Sequence, residues 1–149
     1  MEITWKIKSF NELLSIELYQ IFNLRIAVFI LEQNSLYQDA DWKDLHSFHL
    51  MGMDEKDELV AYARILPSEI SYKEVSIGRV IASKKLRGGG LGADLMERAL
   101  QFISIQFGAG PIRISAQCYL IKFYSKFGFE IVGEEYLEDN LPHIEMLMA

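Results

Sequence analysis

From its N-terminus the chain alternates polar and apolar residues over 4–8, which predicts a short first strand. Ser9 and Glu12 have capping-box spacing. Leu13, Leu14, Leu18, Ile21, Phe22, Arg25 and Phe29 follow at intervals of three and four, the stripe of a helix that buries one face. Residues 32–43 are polar and aromatic without a clear period and predict a loop or a short second helix. Apolar runs at 48–53 and 59–66 flank the charged turn DEKD, 54–57, and read as a hairpin; Pro67 ends its second strand. Residues 74–82, rich in Val and Ile, predict another strand. A glycine-rich stretch then opens a helix with Leu91, Leu95, Ala99, Leu100, Ile103 and Phe107 on one face, and GAGP, 108–111, stops it. A strand at 112–116, a short helix at 119–127 ended by Gly128, and closing strands at 129–133 and 143–148 complete the chain, with an acidic segment between the last two. The order β α (α) β β β α β α β β belongs to the α/β (α+β) class, a mixed sheet with helices on both faces.

At 149 residues the chain predicts one domain, 1–149, with a real core. The net charge of −6 argues against a general nucleic-acid binder, because phosphate neutralisation needs a basic surface. The first residues carry no secretory signal, and the apolar stretch 21–31 is broken by Asn23 and Arg25, too short and polar for a membrane span. Cys118 is the single cysteine, so neither an internal disulfide nor a Cys-rich metal site is available. The cytoplasm is the expected compartment.

Four of the ten glycines fall at 88, 89, 90 and 92, within KKLRGGGLGADL, 84–95. Such clustering costs backbone entropy. Between a strand and a helix start it makes an anion site, because the first helical N–H groups and the helix dipole favour negative charge. Walker A fails, since no Lys-Ser or Lys-Thr follows. Gly88, Gly90 and Ala93 satisfy GxGxxA, yet the next strand ends at Ala116-Gln117 without the acid that a dinucleotide fold requires.

The spacing Arg87-x-x-Gly90-x-Gly92 resembles the acetyl-CoA pyrophosphate loop of the GNAT superfamily, the CoA-dependent N-acetyltransferases. KFYSKFGFE, 122–130, looks like that family's FYxxxGF segment. Along nearly the whole chain RIAVFILEQ (25–33), YQDAD (37–41), AYARIL (61–66), IGRVIA (77–82), AQ (116–117) and DNLPHI (139–144) are similar to the ElaA-type branch; Cys118-Tyr119 departs from it. The resemblance implies a mostly antiparallel sheet of six to seven strands, splayed between 74–82 and 112–116. It implies acetyl-CoA as cosubstrate, held by Val80, Ile81, Ala82, Arg87, Gly88, Gly89, Gly90, Leu91, Gly92, Gln117 and Tyr124. A backbone N–H near Ile81 would polarise the thioester carbonyl.

Tyr124 is the expected proton donor to the leaving thiolate, since a phenol is neutral at pH 7. Its rival reading is a core tyrosine beside Phe123 and Phe127. Proton acceptors for the amine are Glu32, His49, Glu74 and His143, or a water held by one of them; the sequence does not choose. Arg25, Arg64 and Arg79 interrupt apolar patterns and must be paired, either by Asp39, Asp41 and Asp44 or by an acceptor carboxylate. Arg64 and Arg79 are expected on the acceptor side, and so is Gln33, which with Glu32 ends the first helix beside the region that the resemblance implies lines the acceptor. The resemblance implies direct transfer to a primary amine without metal, and Cys118 is expected inert. Acidic runs such as EEYLED would favour a cationic amine: a polyamine, lysine or a protein N-terminus. The alternative is a GNAT-fold module that binds acyl-CoA without catalysis. Residues 134–141 would cover a neighbour in a homodimer.

Overall fold

The computed structural model describes residues 2–83 and 89–149. Arg87 and Gly88 lie outside them. Seven strands form one sheet: β1 (Thr4–Ser9), β2 (Phe48–Met53), β3 (Leu59–Leu66), β4 (Val75–Ala82), β5 (Ile112–Gln117), β6 (Glu130–Glu138) and β7 (Leu141–Met148). Their spatial order is β1-β2-β3-β4-β5-β7-β6. Every neighbouring pair is antiparallel except β4 and β5, which are parallel. Helix α1 (Ser15–Arg25) covers one face, while α2 (Leu91–Phe107) and the short α3 (Ile121–Ser125) pack into the core of the other.

The alternation along the strands separates the faces as the pleat requires. Leu50, Ala61, Ala63, Ile65 and Ile77 meet Leu91, Leu95, Met96, Ala99 and Ile103 of α2. On the opposite face Met51, Tyr62 and Ile81 meet Ile21 and Phe29. The α2 stripe matches the expected one, with Met96 added and Leu100 and Phe107 only partly buried. Gly108 ends the helix at φ 80°.

Two boundaries differ from the periodicity. The Ser9–Glu12 box caps only a single 3-10 turn, Phe10–Glu12: Glu12 Oε1 accepts from Ser9 N at 2.9 Å. Helix α1 starts later, where Glu17 Oε1 accepts from Leu14 N at 2.8 Å. Leu14, expected in the core, is 58 % exposed, and Glu17 takes the buried row with Ile21, Arg25 and Phe29. Lys8 of β1 compensates that carboxylate at 2.9 Å. Beyond Arg25 the helix widens to a π-helical segment, Ile26–Glu32, as in the bond from Gln33 N to Val28 O at 3.2 Å.

The acidic segment before β7 is strand rather than connection. Gly133, at φ 84°, marks a register shift between Val132 and Tyr136, and pairing then resumes with Tyr136 opposite His143 and Glu138 opposite Leu141. Asp139 and Asn140 close the hairpin at φ 52° and 65°, as a two-residue type I′ turn needs.

Gly52 stands opposite Trp5 on β1 and Ala61 on β3. A Cβ there would lie 2.8 Å from the Trp5 ring and 3.1 Å from Ala61 Cβ, and Arg98 stacks on that ring at 5.0 Å. Gly52→Ala is therefore expected to lose about 1–3 kcal/mol through overpacking, read as a lower urea midpoint with unchanged slope.

Candidate active site

β4 and β5 pair only at Val75–Ile112 and Ser76–Arg113, and then part. The cause lies in their other neighbours. β5 is paired along its whole length with β7, and β4 follows β3 up to a bulge. Tyr62 pairs with Ile81 and Arg64 with Gly78, so Arg79 and Val80 together face Ala63. Arg79 takes φ 52°, which bends the strand. Ser83 N donates to Val60 O at 2.7 Å, and alternation directs Ile81's backbone to β3 in the same way. Ile81's N–H is thus committed to the ladder, and its side chain packs under α1.

The gap is the floor of a cavity of about 540 Å³ on the α1 face, lined by residues 77–80 of β4, Ser115 and Gln117 of β5, Tyr124, and His143 of β7. Its roof is the end of the π-helical segment with residues 37–43. Gln33 and Gln117 exchange amide hydrogen bonds at 3.3 Å across the mouth, and Ser35 Oγ donates to Asp139 O at 2.7 Å.

Three arginines and three aspartates hold the roof down. Arg25 donates to Asp39 at 2.8 Å and to Asp44 at 2.7 Å. Arg64 grips Asp41 at 2.6 and 2.7 Å and reaches Asp44 at 3.0 Å. Arg79 Nε donates to Asp39 at 2.8 Å. Burial would push Asp41 up, but the hydrogen bonds and charge of Arg64, with Arg79 and the Lys43 N–H, outweigh it and hold it at about 2. Arg64 Nε is the one buried side-chain polar atom without a partner among the described residues; it lies 3.9 Å from where a side chain at Gly78 would begin.

Tyr124, on α3, is buried against Phe123 and Phe129 and borders the cavity. Burial drives its pKa up, so the phenol stays protonated. His143 Nδ1 donates to Leu141 O at 2.8 Å, and its Nε2 lies 3.5 Å from Glu138 Oε2. Tyr136 stacks on His143 and shares a short hydrogen bond with Ser115 Oγ.

Helix α2 begins at Leu91 behind Gly90, whose φ is 83° and whose missing side chain would meet nothing within 4 Å. Its first internal bond runs from Asp94 N to Gly90 O, so the N–H groups of Leu91, Gly92 and Ala93 precede the ladder. Gly92 sits 3.5 Å from the Phe123 ring, measured from its absent Cβ, which puts this helix start beside the tyrosine helix.

Gln33, Arg64, Arg79, Val80, Gln117, Tyr124 and His143 all line the one cavity. His49 does not. It is fully buried on β2, with Nδ1 2.6 Å from the Tyr62 hydroxyl and Nε2 2.9 Å from Asp44 O, and burial holds it below the ordinary imidazole range. Glu32 is exposed outside the cavity lining. Glu74 is locked to Arg113 at 3.0 and 3.1 Å, where β4 and β5 still pair. Cys118 packs partly buried at the core edge, and desolvation raises its thiol. Lys43 and Ser71 were not singled out from the sequence, and Tyr136 and Glu138 only as part of the acidic run EEYLED, since a loop lysine and an acidic run carry no periodic signal. Among the described residues no helix is long and apolar enough to cross a membrane.

A sheet splayed at a parallel pair, a bulge beside the gap and a glycine-led helix start define an acyl-CoA-dependent transferase fold. The sequence profile described as "Acetyltransferase (GNAT) domain" matches residues 23–149, and the chain belongs to the GNAT acetyltransferase family. Within it the chain is 44% identical to Protein ElaA of Escherichia coli K12 over 146 residues, 97% of this chain and 95% of that one. The crystal structure of Escherichia coli ElaA superposes with a TM-score of 0.93 at 43% identity, covering 99% and 100% of the two chains. An acyl-CoA N-acyltransferase from Pseudomonas aeruginosa gives 0.94 at 41%, with the same coverage. An aminoglycoside 6'-N-acetyltransferase complexed with coenzyme A shares the fold at a TM-score of 0.70 and 17% identity, covering 95% of each chain. Acetyl-CoA is the family's cosubstrate, and the open helix start at Gly90 fits a diphosphate.

Removing Asp44 would leave two buried guanidiniums short of a counter-charge, so Asp44→Ala is expected to cost about 3–5 kcal/mol in chemical denaturation. Asp41 is held below its ordinary 3.8. Its contribution is therefore complete above that pH and lost as pH falls toward 2. Stability measured across that window should drop in the native chain and drop less in Asp41→Asn.

Proposed function

We propose that the chain is a single cytoplasmic N-acetyltransferase domain that moves the acetyl group of acetyl-CoA to a primary amine by direct transfer. The observation that carries this reading is that the Tyr124 phenol and the His143 imidazole both border one cavity floored by the β4–β5 gap.

Gly89, Gly90 and the N–H groups of Leu91, Gly92 and Ala93 hold the diphosphate, with the helix start supplying the field. β4 at Val80 and Ala82 receives the pantetheine amides. The bulge turns the Arg79–Val80 backbone away from regular pairing, and it, rather than Ile81, supplies the donor to the thioester carbonyl. His143 Nε2, its tautomer set by the Leu141 carbonyl, takes a proton from the attacking ammonium, and Glu138 stabilises the resulting imidazolium. The nitrogen lone pair then forms the C–N bond as the C–S bond breaks. Tyr124 gives its proton to the departing sulfur, and the second proton, shed by the newly acylated nitrogen, returns through solvent to the phenolate. The Gln33–Gln117 pair keeps water from the mouth.

Tyr124→Phe is expected to hold acetyl-CoA affinity within about twofold in calorimetry and to lower turnover by about 10²-fold or more. Unchanged turnover removes Tyr124 from the chemistry. His143→Ala should also lose turnover, with partial rescue by added imidazole. If the native chain binds acetyl-CoA but consumes none over a panel of primary amines, it is a binding module instead.

A further inference from the structure

We propose that the acceptor amine also carries a carboxylate, received by Lys43 and Ser71. This rests on the acetyl-transfer reading and names its substrate class.

The charges around the cavity decide the matter. Arg25, Arg64 and Arg79 are matched by Asp39, Asp41 and Asp44, three against three, and that network is closed. Lys43 is an additional cation on the same side. It is half-buried and lines the cavity, and its Nζ donates to Ser71 Oγ at 2.9 Å, also on the wall. Among the described residues it forms no ion pair. A half-buried ammonium whose only partner is a hydroxyl retains donors and charge for an anion.

The same cavity also carries acidic groups. Glu138, Asp139 and the Nε2 lone pair of His143 border the β5–β7 side. An ammonium is stabilised there and a second anion is not. The two signs of charge in the cavity therefore select a zwitterion, amine toward His143 and carboxylate toward Lys43. A polyamine would bring its second cation to Lys43, where it is repelled. The unpartnered Arg64 Nε behind Gly78 adds a buried donor to the side that takes the anion.

The test is CoA release at saturating acetyl-CoA for matched pairs, lysine against cadaverine and ornithine against putrescine. The amino acid should exceed its decarboxylated partner in kcat/KM by about tenfold or more, chiefly through KM. Lys43→Met should collapse that ratio by about tenfold, and Lys43→Arg should keep most of it. Equal or reversed preference, or a ratio indifferent to Lys43→Met, overturns the proposal. Calorimetry with N-acetyl-lysine in the presence of CoA reads the carboxylate site without turnover. Binding that weakens about tenfold in Lys43→Met and returns in Lys43→Arg supports the site even if no amine reacts, in which case acetyl transfer alone has failed. Binding that is absent, or indifferent to Lys43→Met, overturns it.

Discussion

The roof of this site depends on one buried ion network. Residues 37–46 have no apolar periodicity and cannot hold themselves to the protein by hydrophobic burial. They are held instead by carboxylates at 39, 41 and 44, drawn to guanidiniums that emerge from α1, β3 and β4. A buried charge without its partner is costly, so the positions of three arginines dictate the course of the loop. The strain that results is visible at Trp42, at φ 70° and 80 % exposed between two of the aspartates. Asp39 also grips Arg79, the residue that forms the bulge, so the same network holds the edge of the gap.

That gap is a consequence of ladder preference. β5 gains a full antiparallel pairing with β7, and β4 gains one with β3, whereas the parallel pairing between them extends over two residue pairs. With each strand satisfied on its far side, twist carries the two apart, and the opened backbone edges face a cavity. Helices α2 and α3 lie where the strands diverge, and the contact of Gly92 with Phe123 brings the glycine-led helix start beside the helix that carries Tyr124. The family's chemistry follows from this geometry more than from any single reactive side chain.

Charge is distributed unevenly around that cavity. It is lined by members of the arginine–aspartate network and Lys43, and by Glu138 and Asp139 on the edge hairpin. The same acidic residues discourage strand addition to the exposed edge of β6. Cross-strand placement, not local sequence, makes the hairpin both a protected edge and one wall of the site.

Most of the strands, the α2 stripe, the charged turn at 54–57 and the glycine-led start of α2 were legible in the sequence, because period and turn chemistry are local properties of backbone dihedrals. So was the need to pair Arg25, Arg64 and Arg79. The sequence did not decide between His49 and His143, both set in strand-like runs. Register alone puts His143 opposite Gln117 on the cavity and sends both nitrogens of His49 to Tyr62 and a buried carbonyl. Glu17 in a buried row, the strand character of 134–138 and the part of Lys43 were equally hidden. Partners 14 to 40 residues apart meet only after the sheet has assembled, and a charge or an orphan donor leaves no periodic trace by which a local pattern could announce it.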